Sequence, residues 1–194
     1  MYKRQLEHRP PNWDKYYGQA RTNGKAHSVP IDLNCPVLEV TWWDAYAYTR
    51  WLGKETGTER DLPTEEEWAV ACAGEKAYRY PWGNEPEKAN ANTKADFKAA
   101  NPGAKGTVDG YNFWNPVDAI RSDKSEFGVV GLAGNVAEWT SSWTPDNRFP
   151  LIKGGSFFTG LTPCNESRAD QNPDKGQEWI GFRTISRTPP PDAE

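Results

Sequence analysis

Only two stretches of this 194-residue chain carry a complete helix signal, and both open on the same motif. In "VTWWDAYAYTRWLGKETG", Thr41 and Asp44 have the spacing of a capping box, whose hydroxyl and carboxylate satisfy amides that a helix start leaves orphaned. Trp43, Ala47, Tyr48, Trp51 and Leu52 recur at helical spacing, which predicts a buried face on a helix near 42 to 53, with Gly53 or Gly57 to stop it. In "LPTEEEWAVACAGE", Thr64 and Glu67 repeat the box. Trp68, Ala71 and Cys72 make the predicted buried face there, near 65 to 73, and Gly74 ends the helix.

Everything else reads as short and irregular. Strand-like pieces occur at "VAEWTSSW", "PLIKGGSFF" and "WIGFRTIS", and sixteen prolines with seventeen glycines keep the connections loop-rich. Two early helices followed by short late strands predict one α+β domain over residues 1–187, with 188–194 as a frayed tail. Ten tryptophans supply the large buried surfaces that a modest apolar content does not. Trp42 or Trp43, with Trp51, Trp68 and Trp139, are the expected core anchors. Residues 84 to 112 form a polar stretch without apolar periodicity, too long to stay structureless inside a compact domain unless something pins it.

A formal net charge of -4, unclustered, argues against a nucleic-acid partner. No apolar run reaches the roughly 18 residues that a membrane span needs, and the opening residues lack the apolar core of a signal peptide. Cys35, Cys72 and Cys164 are too scattered for a zinc site or a disulfide framework. They allow at most one bridge and leave one thiol over, so the compartment stays open.

Six stretches in order resemble the formylglycine-generating enzyme (sulfatase-modifying factor) family, whose domain is a variant of the C-type lectin fold. They are "VTWWDAYAYTRWL", "DLPTEEEWAVACAG", "YPWGNE", "GLAGNVAEWT", "KGGSFF" and "WIGFR", spread over residues 37 to 183. Two departures from the family pattern stand out. Family domains begin further upstream, with early strands before the region resembling Leu6 to Trp13, so the chain is expected to lack those strands as a fragment, a divergent form or one part of a larger assembly that supplies them. Catalytic members carry two copper(I)-binding cysteines, five residues apart, after the Gly-Gly-Ser turn. Here Cys164 matches the second position and Thr159 occupies the first, so copper(I), which favours thiolates, lacks half of its ligands. Ser156 matches a serine near the reactive centre of catalytic members, although a serine after such a turn is more often structural. Cys164 and Ser156 therefore carry catalysis only if the chain is an enzyme, and the plain reading of Cys164 is a partly buried small hydrophobe.

The resemblance also implies calcium. One site maps onto the carbonyls of Gly131, Gly134 and Val136 with the side chain of Glu138. A second maps onto Asn92, the carbonyl of Thr93, Asp109 and the carbonyl of Tyr111, and would pin both ends of the long polar stretch. Ligands in this fold meet the late face, here residues 154–183, where Phe157, Phe158, Thr159, Arg168, Asp170 and Trp179 mix aromatic, cationic and small polar groups. Three functional classes follow. The leading one is a calcium-stabilised, non-catalytic domain that binds a protein or a small-molecule ligand. The alternatives are a formylglycine-generating-type oxidase acting on a protein cysteine and a variable binding protein of a diversity-generating retroelement. His8 and His27 make no iron-binding cluster, which removes support for the related non-haem iron enzymes.

Overall fold

The computed structural model describes residues 13–26, 28–98 and 105–188. His8, His27 and the tail from 189 onward lie outside the described residues. Among the described residues the α-helices are α1 (Trp13–Arg21), α2 (Trp42–Thr56) and α3 (Glu65–Ala73). Both predicted capping boxes form. Thr41 Oγ1 accepts from the Asp44 amide at 3.0 Å and the Asp44 carboxylate accepts from the Thr41 amide at 3.0 Å. Thr64 and Glu67 repeat the exchange at 3.1 and 2.8 Å. Gly57 ends α2 in the left-handed region at φ 65°, donating its amide to the Gly53 carbonyl. The first helix was not anticipated; its Trp13 and Tyr17 rings stack on each other at 5.7 Å.

The strands are short: β1 (Lys25–Ala26), β2 (Val29–Pro30), β3 (Arg60–Asp61), β4 (Ala137–Trp143), β5 (Pro150–Lys153), β6 (Ser167–Arg168), β7 (Ile180–Phe182) and β8 (Ile185–Ser186). The main sheet runs β6-β5-β4-β7, while β1-β2 and β3-β8 form two-stranded pairs. Strand β4 is antiparallel to β5 and parallel to β7, and the register sets Glu138 opposite both Lys153 and Gly181. This α+β arrangement of few helices, short strands and long loops is C-type-lectin-like.

Trp42, Trp68 and Trp139 are buried as expected, and Trp114 joins them as an anchor that periodicity did not reveal. Trp51 does not: it is 37 % exposed, with Trp43 at 45 % and Tyr48 at 42 %. The buried face of α2 is instead Trp42, Ala45 and Thr49. Aromatic residues stand on both faces of this helix, so spacing alone could not say which one meets the sheet. Trp42 wins because its indole Nε1 donates to the Thr140 carbonyl at 2.7 Å, and its ring stacks on Tyr46 and meets Trp143 edge-on. The outer rings pack side by side, Tyr48 against Trp51 and Phe182.

Candidate functional site

The turn Gly131–Asn135 feeds Glu138 into β4, and the structure supplies a cation for that carboxylate. Arg183, just past β7, reaches Glu138 in a two-pronged pair, Nε to Oε2 at 2.5 Å and a terminal nitrogen to Oε1 at 2.6 Å. Trp68 of α3 adds its indole N–H to Oε2 at 2.7 Å. The same guanidinium donates to the carbonyls of Val130 and Gly131. Burial would lower the Arg183 pKa, but the charge and hydrogen bonds of Glu138 outweigh it and hold it above its ordinary value. The charge that called for calcium at Glu138 is thus met by an arginine 45 residues downstream. Of the other residues mapped to that set, Val136 packs in the core, and Gly134 lies so close to Asn92 that a Cβ would stand 2.4 Å from its carbonyl oxygen.

Asp123 braces the same turn. Its buried carboxylate accepts from the amides of Leu132 and Ala133 at 3.0 to 3.1 Å. Burial pushes its pKa up to about 7 against those amides and the Arg183 charge. Behind the turn, the Asn92 side-chain nitrogen donates to the Phe113 carbonyl and to Asn115 Oδ1. The Asn135 carboxamide closes on the Asn115 main chain with two bonds of 3.0 Å, its oxygen accepting from the amide and its nitrogen donating to the carbonyl. Asn115, Asp123 and Asn135 were missed in sequence because no short-range pattern links them to Asn92.

The long polar stretch is pinned by Asp96, another residue that sequence reasoning passed over. Its carboxylate collects the amides of Thr107, Val108 and Asp109 at 2.5, 2.7 and 2.9 Å. Burial raises its pKa, and the hydrogen bonds from Thr107, Asp109 and Val108 outweigh that and bring it below the usual carboxylate range. Asp109 in turn accepts from the Thr93 and Tyr111 amides. Its pKa goes up, from burial first and then from the neighbouring Asp96 charge. Asp109 and Tyr111 also line an open cleft of about 540 Å³ with Lys105 and Arg121.

On the late face, the residues singled out divide. Phe157 turns inward, 1 % exposed, and packs among Phe97, Phe113 and Trp114. Phe158 is 48 % exposed and stacks on Trp179, whose ring also carries the Arg168 guanidinium at 4.9 Å. Burial lowers the Arg168 pKa, with Asp170 opposing. Ser156 and Thr159 close a turn on each other: the Ser156 amide donates to Thr159 Oγ1, and the Thr159 amide donates to Ser156 Oγ.

Cys164 is not a thiol. It is joined to Cys72 of α3 in a disulfide, both residues 1 % exposed. The sulfur matched to the second copper position therefore has no thiolate to offer while the bond is intact. The remaining described cysteine, Cys35, is a free thiol whose pKa burial pushes up to about 11. Among the described residues, no three His, Cys, Asp or Glu side chains are grouped to hold a metal.

A family model for the sulfatase-modifying factor enzyme 1-like domain matches residues 2–188. The inactive C-alpha-formylglycine-generating enzyme 2 of Bos taurus is 32% identical over 88% of this chain and 56% of its own length. The formylglycine-generating enzyme of Thermomonospora curvata is 34% identical over 82% of this chain and 58% of its own. The chain thus spans somewhat over half the length of these two relatives. Among solved structures, PvdO from Pseudomonas aeruginosa superposes with a TM-score of 0.63 at 26% identity, covering 78% of this chain and 61% of that one. Treponema denticola variable protein 1 shares the fold, with a TM-score of 0.66 at 17% identity over 88% of this chain and 77% of that one.

Proposed function

The chain belongs to the sulfatase-modifying factor family, and from that premise we propose that it is a non-catalytic binding domain whose ligand docks on the late face. One observation carries this reading. The position of the first catalytic cysteine is Thr159, and the thiol matched to the second is locked to Cys72. Copper(I) chemistry that needs two thiolates has none to use beside Ser156. The resemblance to the inactive formylglycine-generating enzyme 2 supports the same reading. So does the likeness in fold to a protein described as variable.

Phe158, Trp179 and Arg168 form the part of the late face that a partner can reach, with Asp170 exposed beside them. Aromatic rings and arginine held in a fixed stack are suited to protein or small-molecule recognition. Calcium belongs to the proposal as a stabiliser. The set around Glu138 fits poorly, since Arg183 takes both carboxylate oxygens and the Gly131 carbonyl. The set around Asn92, Thr93, Asp109 and Tyr111 fits better, because Asp109 and Asp96 are like charges whose proximity a cation would relieve.

The deciding experiment incubates the protein with copper, oxygen and a sulfatase-type cysteine peptide and follows the aldehyde by mass spectrometry. The expected result is no turnover, with and without prior reduction of the protein. Sustained conversion would overturn the non-catalytic reading.

A further inference from the structure

Strand β6 pairs with β5 so that Arg168 stands opposite Ile152, and Trp179 packs at the margin of the core cluster that Ile152 belongs to. The Arg168 guanidinium lies over the Trp179 ring at 4.9 Å, and one terminal nitrogen donates to the Gly154 carbonyl at 3.3 Å. Two contacts with neutral groups thus hold the guanidinium in place and leave its charge unpaired. Arg168 forms no ion pair with any described residue. Its buried Nε has no hydrogen-bond partner. Asp170 acts on it only through space, and burial outweighs that attraction. A partly desolvated guanidinium in this state gains most from a carboxylate, whose two oxygens match its planar fork.

Beside this cation stands an apolar surface. Phe158 is 48 % exposed; its ring stacks on Trp179 at 6.0 Å and meets Phe97 edge-on at 5.2 Å. The three rings hold one another, so little side-chain freedom is left to lose when something docks there. A small ligand needs a concavity that buries most of its surface, whereas an extended peptide needs only an ordered face to lie along. We infer that the late face docks a segment of a partner protein in which an Asp or Glu carboxylate adjoins an aromatic or aliphatic side chain, with Arg168 taking the carboxylate and the Phe158–Trp179 pair taking the apolar neighbour. A phosphorylated side chain carries up to about twice the charge, which the exposed Asp170 carboxylate near the guanidinium disfavours. This ligand class presupposes late-face binding, as proposed above, and needs no metal.

The test selects peptides from a random display library on the immobilised, intact chain and measures the enriched sequences, as synthetic peptides, by fluorescence anisotropy. The expected result is enrichment of Asp or Glu beside Phe, Trp, Leu or Ile. Arg168→Met keeps an apolar stem over Trp179 and removes the charge; it is expected to weaken binding by about tenfold or more and to abolish the preference for an acid. Asp170→Asn removes an exposed like charge and is expected to tighten binding about twofold to fivefold, so it decides alone if Arg168→Met fails to fold. Phe158→Ala is expected to weaken every selected peptide. Peptides that need Phe158 but bind Arg168→Met and Asp170→Asn as they bind the wild type would overturn the carboxylate while leaving late-face binding standing. Peptides that bind all three variants unchanged would overturn late-face binding itself. No enrichment on the wild type would overturn the peptide as occupant and leave the late face to a small molecule. Tighter binding of a peptide with phosphoserine in place of the acid would overturn the carboxylate in favour of phosphate.

Discussion

Glu138 shows what a single side chain does and does not disclose. A carboxylate inside a glycine-rich turn entering a buried strand announces that a cation must be near, because an unpaired buried charge is costly. Its partner could not be read, since Arg183 lies 45 residues away and meets it only through the register of β4 against β7. The consequence is testable. Glu138→Gln removes the charge and keeps the shape, leaving the partly buried Arg183 guanidinium without its counterion. Such half-removal costs about 3 to 5 kcal/mol. A urea titration should show that loss whether calcium is present or chelated. Adding Arg183→Met to the same chain should recover much of it, because both charges then leave together. Recovery by calcium instead of by the second substitution would place the ion at Glu138.

Among the elements, local chemistry was legible and facing was not. The two capping boxes lie within four residues each and formed as their sequences dictate. The face of α2 depends on where β4 lies, which no window of fifteen residues contains. Trp42→Ala should therefore cost about 3 to 5 kcal/mol, while Trp51→Ala should cost less than about 1 kcal/mol. Equal losses in thermal melts would contradict the observed facing. The long polar stretch makes a similar point. Its ordering comes from the Asp96 carboxylate gripping the 107–109 amides, a contact across eleven to thirteen residues that has no sequence signature. Because the folded pKa of Asp96 is depressed, its contribution is full above the unfolded carboxylate value of about 4 and is lost as pH falls through the lower folded value. Amide exchange at Thr107, Val108 and Asp109 should accelerate over that acid range before the sheet opens. Asp96→Asn should show the faster exchange already at neutral pH. Protection that persists down to global acid unfolding would mean that something else holds the loop.

For the whole molecule, the order of motifs along the chain disclosed the fold, yet their chemistry depended on a crosslink between distant parts. Cys72 and Cys164 are 92 residues apart, and the bond joins α3 to the segment that carries the late face. Three scattered cysteines allowed one bridge without saying which. A loop of that length restrains the unfolded chain strongly, so losing the bridge should cost about 2 to 5 kcal/mol. Paired Cys72→Ala and Cys164→Ala substitutions, compared with the wild type under oxidising conditions, measure it. The same bond governs any attempt to rebuild a copper site. Thr159→Cys alone adds one thiol, and a lone thiol is a poor copper(I) seat when its intended neighbour is a disulfide. The oxidised variant should therefore gain no tight copper binding. Reduction should free Cys164, allow the gain, and lower stability in the same sample, because one sulfur cannot serve both roles. Copper bound tightly by oxidised Thr159→Cys, with the Cys72–Cys164 bond intact by mass spectrometry, would show that the crosslink does not control the site.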